Sequence, residues 1–351
     1  MFSLPYLGVK PGFFAMLFLL VFLALIMTLV HLFYGEIVLA TREKQRLPGY
    51  AERYLGGGAK KFVAFFIIVG FYGSLLVYIV VGGNFLNYIL SPVFNFPPAV
   101  FNLMFFLIGS LAVFFGLRFI AGLDLFMGVF LILIVFLFLF LGFKQVDINN
   151  LTTINWQNII VPYGAILYSL AGMAAIPEIR SMFGKNEKIF KRTIILGTII
   201  PAFLYLIFSG TIIGLTGANT SANAISGLID LLGEKAVLLG SIFGFLATIT
   251  SFFILGLSLK QTYICDFGFN KIWAWFIACF IPLILFVLGF HNFILVITIL
   301  GALMGLIECT AIILIHRKIN SKFPVWVHYF IVVVFVIGFS STIIYSIFKH
   351  Y

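Results

Sequence analysis

Long apolar runs separated by short polar or basic loops set the pattern of this chain. They fall at residues 13–41, 62–90, 99–117, 120–143, 194–215, 236–258, 272–288, 293–315 and 327–348. Each approaches or exceeds the ~20 residues that a helix needs to cross a hydrocarbon core. Two stretches depart from the pattern. The opening decapeptide MFSLPYLGVK is too short to span and is punctuated by Pro11-Gly12. Residues 161–183, VPYGAILYSLAGMAAIPEIRSMF, are long enough but badly built as one continuous helix. Ser169, Gly172 and Pro177 sit in the middle and second half; Gly lowers helix stability and Pro removes a backbone donor. In hydrocarbon a freed backbone group is costly unless protein, water or a ligand satisfies it. The expectation is a helix broken beside a cavity, the arrangement that builds solute sites in membrane carriers. A kinked packing helix with small residues at a crossing is the plainer alternative.

Charge orients the spans. If the loop TREKQRLPGYAERYLGGGAKK is cytoplasmic, nearly all Lys and Arg fall on that side, and only Lys10, Lys144, Lys235 and Lys349 fall opposite. Trp156, Trp273, Trp275 and Trp326 lie at span ends, as interfacial aromatics do. In this orientation the decapeptide starts near the membrane midplane, so the first helix is expected to be N-terminally truncated.

Composition agrees. The 351 residues are 63% hydrophobic and 9% charged, with a mean hydropathy of +1.21. That is a polytopic membrane protein in the lipid bilayer, read as one transmembrane domain over 1–351. The net charge of +10 belongs to the loops and implies no nucleic-acid partner. Cys265, Cys279 and Cys309 lack metal spacing, and no cofactor motif is present.

An internal repeat is visible. Met1-Phe-Ser-Leu-Pro5 matches Met173-Ala-Ala-Ile-Pro177, and LPGYAERYLG resembles ISGLIDLLGE in pattern, both at a nearly constant offset. Five segments stand in each unit, so the second copy is inverted across the membrane. The expected division is 1–144 for the first repeat, 161–316 for the inverted second and 325–348 for an additional C-terminal span. The fold class is all-α, a five-plus-five inverted repeat with broken first and sixth helices. Half-helix N-termini favour a carboxylate and freed carbonyls favour a cation or ammonium, so a zwitterionic amino acid suits such a site.

At FSLPYLGVKPG, HLFYGEIVLATREKQRLPGYAERYLG and VPYGAILYSLAGMAAIPEIR the chain resembles bacterial aromatic amino acid permeases of the tryptophan/tyrosine type. It is also similar to the wider amino acid/auxin permease group of the amino acid–polyamine–organocation superfamily. The resemblance covers essentially the whole chain. It implies a leucine-transporter-type fold and secondary active uptake of amino acids across the cytoplasmic membrane, coupled to protons or sodium. In such relatives a Gly-x-Gly-Ile segment precedes the Phe-Ser-Leu-Pro-Tyr motif and holds the substrate carboxylate; here Met1 stands where that segment should end.

The candidate substrate residues follow from both readings. Ser169, Leu170, Ala171, Gly172 and Met173 mark the sixth-segment break, and Phe2, Ser3 and Leu4 its partner. Tyr168 is a gate candidate beside the break. Aromatics of the third segment line the substrate side in similar folds, which nominates Tyr72, with Gly73, Tyr78 and Asn84 read as core or interface positions. For ion coupling, Thr248, Thr250 and Ser251 offer the hydroxyl oxygens that, in similar transporters, join the first break around sodium; oxygen suits a hard cation. The intramembrane carboxylates Glu308 and Glu36 are the proton-carrier candidates, about 13 Å and 9 Å along their helices from the basic end. His31 reads as a satisfied packing histidine, and Glu178, close to Arg180, as structural. The five histidines look scattered and without acidic partners, which argues against a membrane-embedded transferase. A non-transporting homologue that binds amino acids is the other alternative. No repeated pore loop or charged ring marks a channel.

Overall fold

The computed structural model describes the chain except residues 42, 44, 117–119, 184, 185, 266, 321, 322 and 349–351, and the side chains of 120–127, 181–183 and 265. Arg42, Lys44, Arg118, Lys185, Lys322 and Lys349 of the charge pattern, and the Cys265 side chain, therefore lie outside the described residues.

All regular elements described are helical. In chain order they are α1 Ser3–Val9, α2 Phe13–Ala40, α3 Leu47–Leu55, α4 Gly57–Leu90, α5 Pro98–Phe115 and α6 Ile120–Gly142. Then follow α7 Asn149–Thr152, α8 Tyr163–Leu170, α9 Ile176–Phe183, α10 Glu187–Thr216 and α11 Ile229–Leu232. The last four are α12 Glu234–Cys265, α13 Lys271–Val287, α14 Phe293–Ile319 and α15 Val325–Phe348. Among the described residues, 8 helices are long and apolar enough to cross a membrane, and Lys271–Val287 is a shorter apolar one. Their outer faces carry exposed Phe18, Leu25, Leu107, Phe140 and Ile337. A surface this apolar is stable only against lipid, and the chain is a multi-pass membrane protein.

Side-chain chemistry sets the helix ends. Asn186, Asn270 and Asn292 each accept a hydrogen bond from a first-turn amide of α10, α13 and α14, at 3.1, 2.9 and 3.1 Å. Pro98 opens α5, where a missing N–H costs nothing, and Gly116 closes it at φ 64°.

Two packing groups result. Leu75, Ile79, Phe105, Phe252, Leu259 and Ala278 centre a core shared by α4, α5, α12 and α13. A second core joins α1, α2, α8, α10, α14 and α15 around Leu7, Leu23, Ile166, Phe208, Ile312 and Phe335. α8 is fixed in this second group by direct backbone contact with α14. A Cβ on Gly164 would stand 1.9 Å from Thr298 O, and one on Gly301 1.8 Å from Gly164 O. Only glycine admits that approach. The α1–α2 turn is tied down as well. Gly12 lies at φ 87°, and Pro11 O accepts from Asn155 N at 2.7 Å, linking the decapeptide to the loop that leads into α8.

Candidate functional site

The helix predicted to break does so. α8 stops at Leu170; Ala171 turns to φ −61°, ψ 118°. Gly172 follows at φ −145°, ψ 6°, before a single tight turn, Met173–Ala175. Helix resumes with α9 at Ile176, and Pro177 stands in its first turn, where a proline costs no hydrogen bond. Of the expected residues, Ser169 and Leu170 close α8 and Ala171, Gly172 and Met173 lie in the interruption, with Ala171 and Gly172 exposed and Met173 buried.

The start of α1 is brought to the same place. The Met1 amino nitrogen lies 3.3 Å from Ser169 Oγ. Ser3 and Leu4 are buried. The Phe2 ring packs among Phe85, Phe208 and Phe243, with centroids at 5.0, 6.1 and 6.0 Å. From α10, Tyr205 donates its hydroxyl to Ser169 O at 3.1 Å.

A cavity of about 230 Å³ opens on the interruption. Its walls are the residues from Ser169 to Gly172, the start of α9, and α10 from Thr193 to Tyr205; His31 of α2 contributes to its floor. Among the described residues no Asp, Glu, Lys or Arg lines it. Pro201, inside α10, has no N–H to give Gly197 O, and both residues line the cavity.

His31 is not the satisfied packing residue that its apolar surroundings implied. Nδ1 lies 2.8 Å from Thr198 Oγ1, but Nε2 is buried without a partner among the described residues. Sequence reasoning undervalued a signal that was available, an ionisable side chain in an otherwise apolar span.

The third-segment aromatic at the interruption is Tyr78 rather than Tyr72. Tyr78 of α4 stands beside Tyr168, with Ser74 and Ser251 next to them. The Tyr168 hydroxyl is buried with no hydrogen-bond partner of good geometry among the described residues. The Tyr72 hydroxyl bonds instead to Tyr263 of α12. Tyr72 and Tyr78 differ by nearly two helical turns, which periodicity alone does not rank.

Among the ion-coupling candidates, the hydroxyls of Thr248, Thr250 and Ser251 all donate to carbonyls of their own helix. Glu308, in mid α14, has no hydrogen bond or ion pair among the described residues; Tyr34 of α2 lies near it. Glu36 is fully engaged. Lys191 Nζ and His316 Nε2 reach its two oxygens at 3.0 Å each, and Asn320 Nδ2 lies at 3.5 Å. His316 Nδ1 in turn meets His328 Nε2 at 2.9 Å, and the Phe33 ring stacks on His316 at 4.1 Å. The histidines are therefore not all scattered or without acidic partners. His316 and Glu36 lie far apart in sequence, and only the packing of α14 on α2 joins them.

Helices packed in two groups around an interrupted helix form a fold that is known from a solved structure. The crystal structure of MhsT in complex with L-phenylalanine shares it, with a TM-score of 0.69, at 15% identity over 97% of this chain and 94% of that one. The sequence model of the tryptophan/tyrosine permease family matches residues 1–346, and the chain belongs to that family. No curated protein sequence matches it.

Proposed function

We propose that this protein is a secondary active transporter that moves amino acids, aromatic or other neutral ones, across the cytoplasmic membrane. A proton or sodium gradient drives it, and alternating access exposes the site to each side in turn. The observation that carries the reading is the interruption at Ala171–Gly172, opened to a cavity and met by the start of α1. A mid-membrane break whose backbone groups face a cavity is costly unless a solute or ion uses those groups. Family membership and the fold shared with a phenylalanine-bound transporter support the solute class.

In this reading 1–144 and 161–316 are inverted repeats and 325–348 is an added span. The solute lies in the cavity at residues 169–172; the α1 start and the tyrosines Tyr78 and Tyr168, which do not line it, stand beside the same stretch of α8. Glu308, unpaired among the described residues and half-buried, is the proton carrier; Thr250 and Ser251 mark the alternative sodium site. Transport requires no bond-breaking chemistry, and the protein acts as a carrier rather than an enzyme. The test is accumulation of labelled phenylalanine, tyrosine or tryptophan in proteoliposomes under an imposed pH or sodium gradient. Gradient-dependent accumulation is expected; its absence for every amino acid tried overturns the reading.

A further inference from the structure

The hydrogen atoms around His31 can be placed one by one. Thr198 Oγ1 donates its only hydrogen to Ile194 O at 3.0 Å. The same oxygen lies 2.8 Å from His31 Nδ1, so it accepts there and Nδ1 carries the ring's proton. Nε2 then holds a bare lone pair. His31 is 3% exposed, and Nε2 has no partner among the described residues. An orphaned acceptor in this setting is destabilising, and a neutral imidazole of fixed tautomer is relieved only by a donor.

The orphan sits under the interruption. A Cβ built on Gly172 would stand 3.6 Å from His31 Cε1 and 4.0 Å from Nε2, with no closer contact. No side chain at Gly172 stands between the imidazole edge and the cavity that both residues line, and a donor group that comes in over Gly172 completes it. Further acceptors stand on this side. α8 ends here with its carbonyls, and Gly197 O lacks the amide that Pro201 cannot supply. Among the described residues no charged side chain lines the walls, and these acceptors favour a cationic N–H donor on this side of the cavity.

We propose that His31 Nε2 is a hydrogen-bond acceptor for the ammonium group of the transported solute, with Thr198 as the positioning residue that holds the imidazole in the accepting tautomer. This inference rests on the transporter reading for its choice of ligand, but its test does not require transport.

The experiment measures binding to the full chain purified in detergent, with two half-substrate probes. 2-Phenylethylamine carries the ammonium alone, and 3-phenylpropanoate the carboxylate alone. A charge-assisted hydrogen bond lost in His31→Phe is expected to weaken the amine about tenfold or more, with carboxylate binding unchanged. His31→Gln, whose amide oxygen accepts, should keep amine affinity within about threefold of wild type. Thr198→Val keeps the imidazole and frees its tautomer, and should weaken the amine several-fold; it serves also if His31→Phe does not fold. Amine affinity unchanged in the variants, equal loss of both probes, or a wild type that binds no amine overturns the inference. If the amine response follows His31 but the wild type accumulates no amino acid under any gradient, the transporter reading falls and the site stands.

Discussion

His316 Nε2 donates to Glu36 Oε2 across 3.0 Å and ties α14 to α2. His316 is fully buried, while Glu36 is 33% exposed. His316 Nδ1 in turn meets His328 Nε2 at 2.9 Å, so one carboxylate and two imidazoles on two further helices form one chain of contacts. Glu36→Gln is expected to destabilise the protein by about 1–3 kcal/mol, the scale of a hydrogen bond to a charged group. Lys191→Met should cost less, because Lys191 is 42% exposed and its pairing is screened. Thermal unfolding of both variants and the double variant measures this. Equal, negligible shifts would show that the cluster holds nothing together.

Gly172 is open where many other glycines of the core are not. Its φ of −145° suits any residue, and a Cβ there meets only ordinary contacts. Gly172→Leu is therefore expected to fold with near-wild-type thermal stability and to lose amino acid uptake, since the side chain fills the cavity. Wild-type uptake by this variant would reduce the interruption to a packing kink.

Gly164 and Gly301 give the opposite expectation. Each added methyl would collide with backbone, which cannot rotate away. Gly164→Ala or Gly301→Ala should force α8 and α14 apart and cost about 1–3 kcal/mol or more. Yield of monodisperse protein and its unfolding temperature report the effect; an unperturbed alanine variant would mean that this crossing is looser than it stands here.

Glu308 and the α12 hydroxyls separate the two coupling ions. Glu308→Gln is always neutral and cannot carry a proton, so uptake by it should lose its response to an imposed pH gradient while substrate affinity is kept. An unchanged pH response removes Glu308 as the carrier. Loss of sodium stimulation in Thr250→Ala or Ser251→Ala, with Glu308→Gln unaffected, would assign the coupling to sodium instead.

Much of this was legible in the sequence because the membrane simplifies the problem. Apolar runs gave the spans to within a few residues, and Ser169, Gly172 and Pro177 gave the break, since backbone disruption is written in residue types. What the sequence hid were contacts between side chains on different helices. Tyr78 rather than Tyr72 reaches Tyr168 because of how α4 is rotated against α8. Glu36 finds His316, and His31 finds Thr198, only after the helices pack, and residue spacing carries no trace of either pairing. The orphaned Nε2 was hidden for the same reason, as it depends on where the hydrogen of Thr198 goes.

The central claim is that a solute passes through the interruption, and counterflow tests it without assuming a coupling ion. Proteoliposomes preloaded with unlabelled phenylalanine are diluted into a trace of labelled phenylalanine with no gradient of ions. An alternating-access carrier predicts a transient overshoot of internal label with the wild-type chain and none with Gly172→Leu. No overshoot with phenylalanine, tyrosine or tryptophan, or an overshoot that survives Gly172→Leu, would contradict the account.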